Sequence, residues 1–261
     1  QSDIIQYTGM AKEQNDFRKY TDEEPYWTNS AFGGMPTYQL GAYYPHDYVK
    51  KLDRTIRFLP RPADYLFLYF VGFYVLLCCL KVDYRLAVFG ALAFGFSTYL
   101  IIILGVGHNA KAHAIGYLPL LLGGIVLTFR KKYFWGFILT AIAMALEIGA
   151  NHFQMTYYFM LLVLVLGVAY LIDAIKKKKV KHFFISTGLL IAAVILGVSA
   201  NATSIMATKE YADWSTRGKS VLTINPDGSP KENIEGLDKE YITQYSYGIV
   251  ESVNLFVPRL F

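Results

Sequence analysis

The stretch ALEIGANHFQMTYY, residues 145–158, sets Glu147, Asn151, His152 and Gln154 between two of the most apolar parts of the chain. Carboxylates and imidazoles are the side chains that most often move protons in catalysis. Similar groups recur elsewhere. GVGHNAKAH (105–113) supplies His108, Lys111 and His113, and STRGKS (215–220) supplies Arg217 and Lys219 among hydroxyls. Two cations, three hydroxyls and a glycine suit phosphate oxygens, although the spaced glycine of a Walker loop is missing. Asp3, Gln6 and Glu13 open the chain.

Each of these groups also has a plainer role. Asn151-x-x-Gln154 reads as a capping box that starts a helix, with Asn151 as N-cap. Gln154 and Tyr158 are four apart and share a helix face. Glu147 falls in the last turn of a helix, where the backbone dipole disfavours an anion. It therefore calls for a cationic partner: Lys111, Arg217 or His152. His108 and His113, five apart in a Gly/Ala turn, fit no strong metal-ligand spacing. The adjacent pair Cys78 and Cys79 lies in an apolar run and builds no disulfide framework. No Ser-His-Asp order, CxxC, HExxH or dinucleotide fingerprint occurs.

The elements that must position these groups read as membrane helices. Apolar residues make up 54% of the 261 and charged residues 17%, with a mean hydropathy of +0.31; a soluble domain carries nearer a quarter charged residues. Six apolar runs stand out: 65–80, 86–104, 114–129, 133–148, 153–172 and 183–200. Each is close to the roughly 17–25 residues that cross a hydrocarbon core, the third and fourth slightly short. A turn must fall near Gly149–Asn151, because one helix over 133–172 would be about twice too long. The first, third and fifth connectors hold ten basic residues; the second and fourth hold only Lys111. That bias places the lysine-rich side in the cytoplasm and explains KKKKVK as a membrane-surface anchor, not a nucleic-acid site.

The expected organisation is an all-α integral membrane protein. A first extracytoplasmic loop (1–63) precedes the six-span bundle (64–203), and a second extracytoplasmic segment (204–261) follows it, with NPDGSP as a turn. The chain opens on Gln1 without a Met or signal peptide and stops at Phe261, so it reads as an internal piece of a longer protein. Segment 1–63 then requires a preceding span. The unusual polar residues all fall on the outer side, which predicts one shared cavity of carboxylates, imidazoles and cations at the membrane rim. Such a cavity suits an anionic, lipid-linked substrate; an ion path would want charges deeper in the spans.

The pieces SDIIQYTGM, NSAFGGMPTY, GHNAKAHAIGYLPLLLGG, EIGANHFQMTYY, EYADWSTRGKS and YSYGIVESVNLFVPRLF together resemble the YfhO family of bacterial membrane proteins, from end to end of the chain. The resemblance implies a GT-C glycosyltransferase architecture in the bacterial cytoplasmic membrane. Such an enzyme moves a sugar, with inversion, from a polyprenyl-phosphate carrier to a cell-envelope glycan, teichoic acid or protein on the outer face. It implies Asp3 as catalytic base or acceptor-positioning group, and the base is the role assigned here. His108, Lys111, Arg217 and Lys219 are expected to bind the donor phosphate. Gln6, Glu147, Asn151, His152 and Gln154 would orient the sugar or acceptor. No metal or other cofactor is expected, because phosphate already leaves well, and no nucleic acid. The rival readings are a flippase or transporter of lipid-linked sugars, which needs polar groups continuing toward the cytoplasm, and a non-catalytic membrane scaffold.

Overall fold

The computed structural model describes residues 2–215, 224, 227–230, 239–244, 246 and 248–255, with the backbone alone at 2, 3, 241, 254 and 255. Its first part is a run of short elements: α1 (Ser2–Met10), α2 (Lys12–Thr21), an antiparallel hairpin of β1 (Trp27–Thr28) and β2 (Met35–Pro36), a 3-10 turn (Thr37–Leu40) and α3 (Tyr48–Ile56). Side chains hold these pieces together. Glu13 accepts the Thr28 hydroxyl and the amides of Asn29 (3.1 Å) and Ser30 (3.0 Å). The Thr28 bond, with the two amides, keeps its carboxyl below the usual range. Arg18 pairs with Glu24 at 2.5 Å, and the Tyr7 hydroxyl donates to the Leu40 carbonyl at 2.9 Å. Asp47 caps α3 by accepting from the Lys50 amide at 2.8 Å.

The apolar runs fold as α4 (Ala63–Cys79), α5 (Tyr84–Gly95), α6 (Thr98–Val106), α7 (Asn109–Phe129), α8 (Tyr133–Gly149), α9 (Phe153–Lys176) and α10 (Val180–Ser199). Two differences from the sequence reading bear on the site. The run 86–104 is not one straight helix: α5 and α6 meet at a 48° bend, with Ser97 extended between them (φ −61°, ψ 144°). And α7 begins at Asn109, so Lys111 and His113 lie in its opening turns rather than in a connector. Three helices, α7, α9 and α10, are long and apolar enough to cross a membrane, or four spans if the bent pair counts as one. α4 and α8 are apolar but shorter, 17 residues each. Among the spans α9 is the most apolar, with a mean hydropathy of 2.4 over its best window, and almost none of it is buried within the protein.

Close packing joins α4, α7, α8 and α10 through small residues. A β-carbon at Gly72 would stand 2.6 Å from the Gly116 carbonyl oxygen, and one at Gly197 would stand 2.7 Å from the Ala141 carbonyl oxygen. Asn201 closes the end of α10 by donating to the Ala145 carbonyl at 2.9 Å. Residues 1–202 form one compact unit and 203–261 a second. The second, taken alone, continues α11 (Ala202–Asp213) and holds α12 (Lys239–Thr243) and a 3-10 turn (Glu251–Leu255). The expected turn is present there: Gly228 has φ +83°, and Ile224 bridges Pro230.

The basic connectors gather at one end of the bundle. Arg130 donates to the carbonyls of Cys79 (2.6 Å) and Leu80 (3.2 Å), and His182 bonds the Phe129 carbonyl at 2.9 Å. Three helices stop at this end in the same way, each with a left-handed lysine: Lys81 (φ 64°), Lys131 (φ 63°) and Lys178 (φ 54°). The following amides reach back to Leu77 (3.0 Å), Leu127 (2.9 Å) and Ala174 (2.7 Å), the Schellman arrangement usually served by glycine. Lysine strains the backbone there but keeps a cation beside the negative end of each helix. Lys131→Gly should therefore raise stability by about 1 kcal/mol, read as a higher thermal midpoint in detergent.

Candidate functional site

At the opposite end three helices converge on one carboxylate. Asp53 on α3 and Arg57, the residue that closes this helix, are four apart and form a fork, Nε to Oδ1 at 3.0 Å and Nη2 to Oδ2 at 2.6 Å. On α7, His113 and Tyr117 are also four apart, and both reach Asp53 Oδ1, at 2.5 and 2.6 Å. From the first turn of α4, Asp64 accepts Arg57 Nη1 at 2.5 Å and its own neighbour's amide, Tyr65 N–H, at 2.9 Å. Asp53 is 7% exposed and Asp64 2%. Burial alone would raise the Asp53 carboxyl, but hydrogen bonds from His113 and Arg57 outweigh it and hold the group well below the usual carboxylate range. Asp53 is thus an anion that only accepts, so His113 carries its proton on Nε2.

Through His113 this network meets a cavity of about 620 Å³. α1 supplies Ile4, Tyr7 and Thr8 to its wall; the stretch Gly107–Lys111 and His113 form the start of α7; Arg61, Tyr65, Ala150 and His152 complete it. Five of the lining side chains are basic or imidazole (Arg61, His108, Lys111, His113, His152), and among the described residues no carboxylate lines the wall. The buried Tyr65 ring carries Arg61 at 5.7 Å and Arg57 at 5.1 Å from its centroid, which orients both guanidinium groups. His152 Nδ1 is buried without a hydrogen-bond partner among the described residues. Burial lowers the titration of this imidazole, and the nearby charges of Lys111 and His108 push the same way. Tyr65 also belongs to a hydrophobic cluster with Tyr69, Leu100, Ile103, Ala112 and Ile115.

The sequence candidates divide clearly. His108, Lys111 and His152 come together on the cavity wall. Asp3 belongs to α1, one turn before Tyr7, with its side chain outside the described residues. Arg217 and Lys219 also lie outside them. Gln6 is exposed and does not line the cavity.

Two expectations are corrected. Glu147 pairs with neither Lys111 nor His152, and Arg217 lies outside the described residues: Glu147 is fully buried, the Thr156 hydroxyl donates to its Oε1 at 2.8 Å, and Oε2 has no partner among the described residues. Thr156, from the next helix, reaches the carboxyl first because both face the α8–α9 seam. Nor is Asn151 a cap. It is exposed with φ 57°, in the left-handed turn after α8, and its amide reaches back to the Ile148 carbonyl at 3.0 Å. The N-cap position of α9 is His152, without a side-chain cap bond, so no capping box forms. Gln154 is exposed and donates to the Tyr158 hydroxyl at 2.8 Å, as their spacing permits.

Sequence reasoning passed over Arg61, Asp53, Arg57, Asp64 and Tyr117. The signal was there in two i,i+4 pairs, Asp53/Arg57 and His113/Tyr117. Compared with protein-family models, curated proteins and solved structures, the chain matches none.

Proposed function

We propose that this chain is the catalytic part of an integral membrane glycosyltransferase of GT-C type, similar to the YfhO family, which takes a sugar from a polyprenyl-phosphate carrier on the outer face of a bacterial cytoplasmic membrane and passes it to an envelope acceptor. The observation that carries this reading is the cavity wall, with five basic or imidazole groups among its described residues, at the end of the bundle away from the lysine-rich connectors. α9 supports the membrane part, since an apolar helix that buries almost nothing against protein needs lipid around it. Positive-inside bias supports the outward placement of the cavity.

In this reading Arg61, His108 and Lys111 hold the phosphodiester and stabilise the charge that grows on it as the sugar leaves. The guanidinium of Arg61, set on Tyr65, offers a planar fork to two phosphate oxygens. Asp3, one turn before the wall residue Tyr7 on α1, is assigned to the acceptor. His152, held neutral by burial and by its cationic neighbours, gains an anion to pair with once donor binds. Its proton affinity then rises, so binding takes up a proton. Donor affinity should strengthen as pH falls from 8 to 6, by up to about tenfold per unit, while the phosphodiester itself does not titrate there. His152→Ala should flatten that slope in binding measured across the pH series.

The deciding experiment reconstitutes the full-length protein in vesicles with radiolabelled polyprenyl-phosphate sugar and envelope acceptor. Label should move from carrier to acceptor, and Arg61→Gln and Lys111→Gln should each raise KM for the donor about tenfold or more, the value of a charge-assisted hydrogen bond. Wild-type KM in both variants would overturn the reading. The bend between α5 and α6 favours a second one, a flippase, since broken helices line many transport paths. A flippase would carry labelled donor between leaflets with the sugar still attached.

A further inference from the structure

We infer that His113, backed by Asp53, is the general base that accepts the proton of the acceptor hydroxyl, with Asp3 serving to position that acceptor. The inference rests on the glycosyl-transfer reading of the cavity. Its grounds are geometric. His113 is one of the residues lining the cavity, and its Nε2 is committed to Asp53 Oδ1 at 2.5 Å. With Asp53 ionised and only accepting, the neutral ring has a single tautomer: the proton sits on Nε2, and the lone pair is on Nδ1. Nδ1 has no hydrogen-bond partner among the described residues, and the ring it belongs to lines the cavity. A base must be within hydrogen-bond reach of the proton it takes and be oriented by a third group. Asp53 meets the second condition, and the place of His113 on the cavity wall gives an acceptor hydroxyl access for the first.

The surroundings explain why so much charge is buried here. Arg57 neutralises one of the two carboxylates behind His113, Asp53 and Asp64, and the second negative charge is left for an imidazolium to balance. Tyr117, one turn along the same helix, donates to the same Oδ1 at 2.6 Å and holds Asp53 in place. Across the cavity the imidazole faces cationic or imidazole groups: Arg61, His108, Lys111 and His152. These attract the donor phosphate to the same space without supplying a competing carboxylate.

The step balances within the named groups. The acceptor O–H bond breaks and its proton passes to Nδ1, giving an imidazolium whose charge Asp53 offsets. The oxygen electron pair forms the new bond to the anomeric carbon. The bond from that carbon to the carrier oxygen breaks, and its electron pair leaves on the phosphate held by Arg61 and Lys111. The imidazolium then returns its proton to water. Asp53 acts through His113 and is a positioning residue.

The test uses full-length protein in nanodiscs, with radiolabelled native polyprenyl-phosphate sugar from the host membrane and host envelope as acceptor. His113→Gln keeps an amide donor toward Asp53 but removes the base. It should lower kcat by 10²–10⁴-fold and leave KM for the donor unchanged. A variant-free readout accompanies it. Wild-type kcat at saturating donor should fall on acidification with a single imidazole-range titration, separate from the His152 effect, which acts on KM. Asp53→Asn should lower kcat and shift that titration. A purely structural network would move the thermal midpoint of His113→Gln without altering kcat per folded molecule. Wild-type kcat in His113→Gln, or a kcat profile that falls only in the carboxylate range and vanishes in Asp3→Asn, overturns the inference while transfer itself stands. Absence of transfer by the wild-type protein overturns the glycosyltransferase reading and this inference with it.

Discussion

Arg57→Ala is expected to destabilise the protein by about 3–5 kcal/mol, the cost of removing one partner from a buried ionic network. The guanidinium makes the fork to Asp53 and the single bond to Asp64, and its own side chain is only 10% exposed. Truncation leaves two carboxylates buried together against one imidazole. Water is held off by Tyr65 and Tyr117, which are 2% and 0% exposed. In a thermal scan in detergent the loss should appear as a drop of roughly 10 °C. Arg57→Lys should recover only part of it, since an ammonium cannot fork to Asp53 and reach Asp64 together.

The pH dependence of this variant gives the prediction its sign. In the wild type the Asp53 carboxyl sits well below the usual range: burial opposes this, and His113 and Arg57 override it. A depressed folded value means the stabilisation is fully present above the unfolded carboxylate value of about 3.9 and is lost as pH falls below it. Wild-type stability should therefore decline on acidification below about pH 4. In Arg57→Ala the dominant counterion is gone, and protonating a carboxyl relieves repulsion. Its stability relative to wild type should recover as pH falls, so the two curves converge in acid. Parallel curves would show that the pairing does not set the energy of this network.

Much of the helical frame could be read from the sequence because an apolar run is a local property. The starts of α8 and α9 are where hydropathy placed them. The errors share a cause. Lys111 and His113 are polar, so they read as connector, yet a helix start tolerates polar side chains, and α7 begins before them. Ser97 and Thr98 are too small and too mildly polar to break a hydropathy run, so the bend they mark was invisible. In the site, His108, Lys111 and His152 were conspicuous as polar residues beside lipid-soluble sequence. Asp53, Arg57, Arg61 and Asp64 stand in a segment already rich in charge, where no single charge is anomalous. Only the approach of α7 reveals which of them are buried. Glu147 was conspicuous too, but a hydroxyl on the next helix is a partner that a search for cations cannot find.

Gly136→Val is expected to cost about 3 kcal/mol or more and to remove activity along with stability. Gly124-x-x-x-Thr128 on α7 and Gly136-x-x-x-Thr140 on α8 are small-residue pairs of the kind that let helices touch backbone to backbone. A β-carbon at Gly136 would stand 2.7 Å from the Thr128 amide nitrogen and 2.9 Å from the Gly124 carbonyl oxygen; one at Gly124 would stand 2.8 Å from the Thr140 amide nitrogen. These are backbone atoms, which cannot swing aside as a side-chain tip does. Even alanine must push the helices apart, and overpacking of this kind costs about 1–3 kcal/mol before the valine branches are added. The displacement reaches the cavity because α7 carries Lys111 and His113, while the turn after α8 carries Ala150 and His152. Gly167→Ala on α9 is the control, since its β-carbon would meet nothing within 4 Å. Ordinary helix propensity then applies, and it should gain up to about 1 kcal/mol. Opposite signs for Gly136→Ala and Gly167→Ala in the same thermal assay are the expected result. A shared sign would mean that α7 and α8 do not meet through their backbones, and that the cavity walls are set by something else.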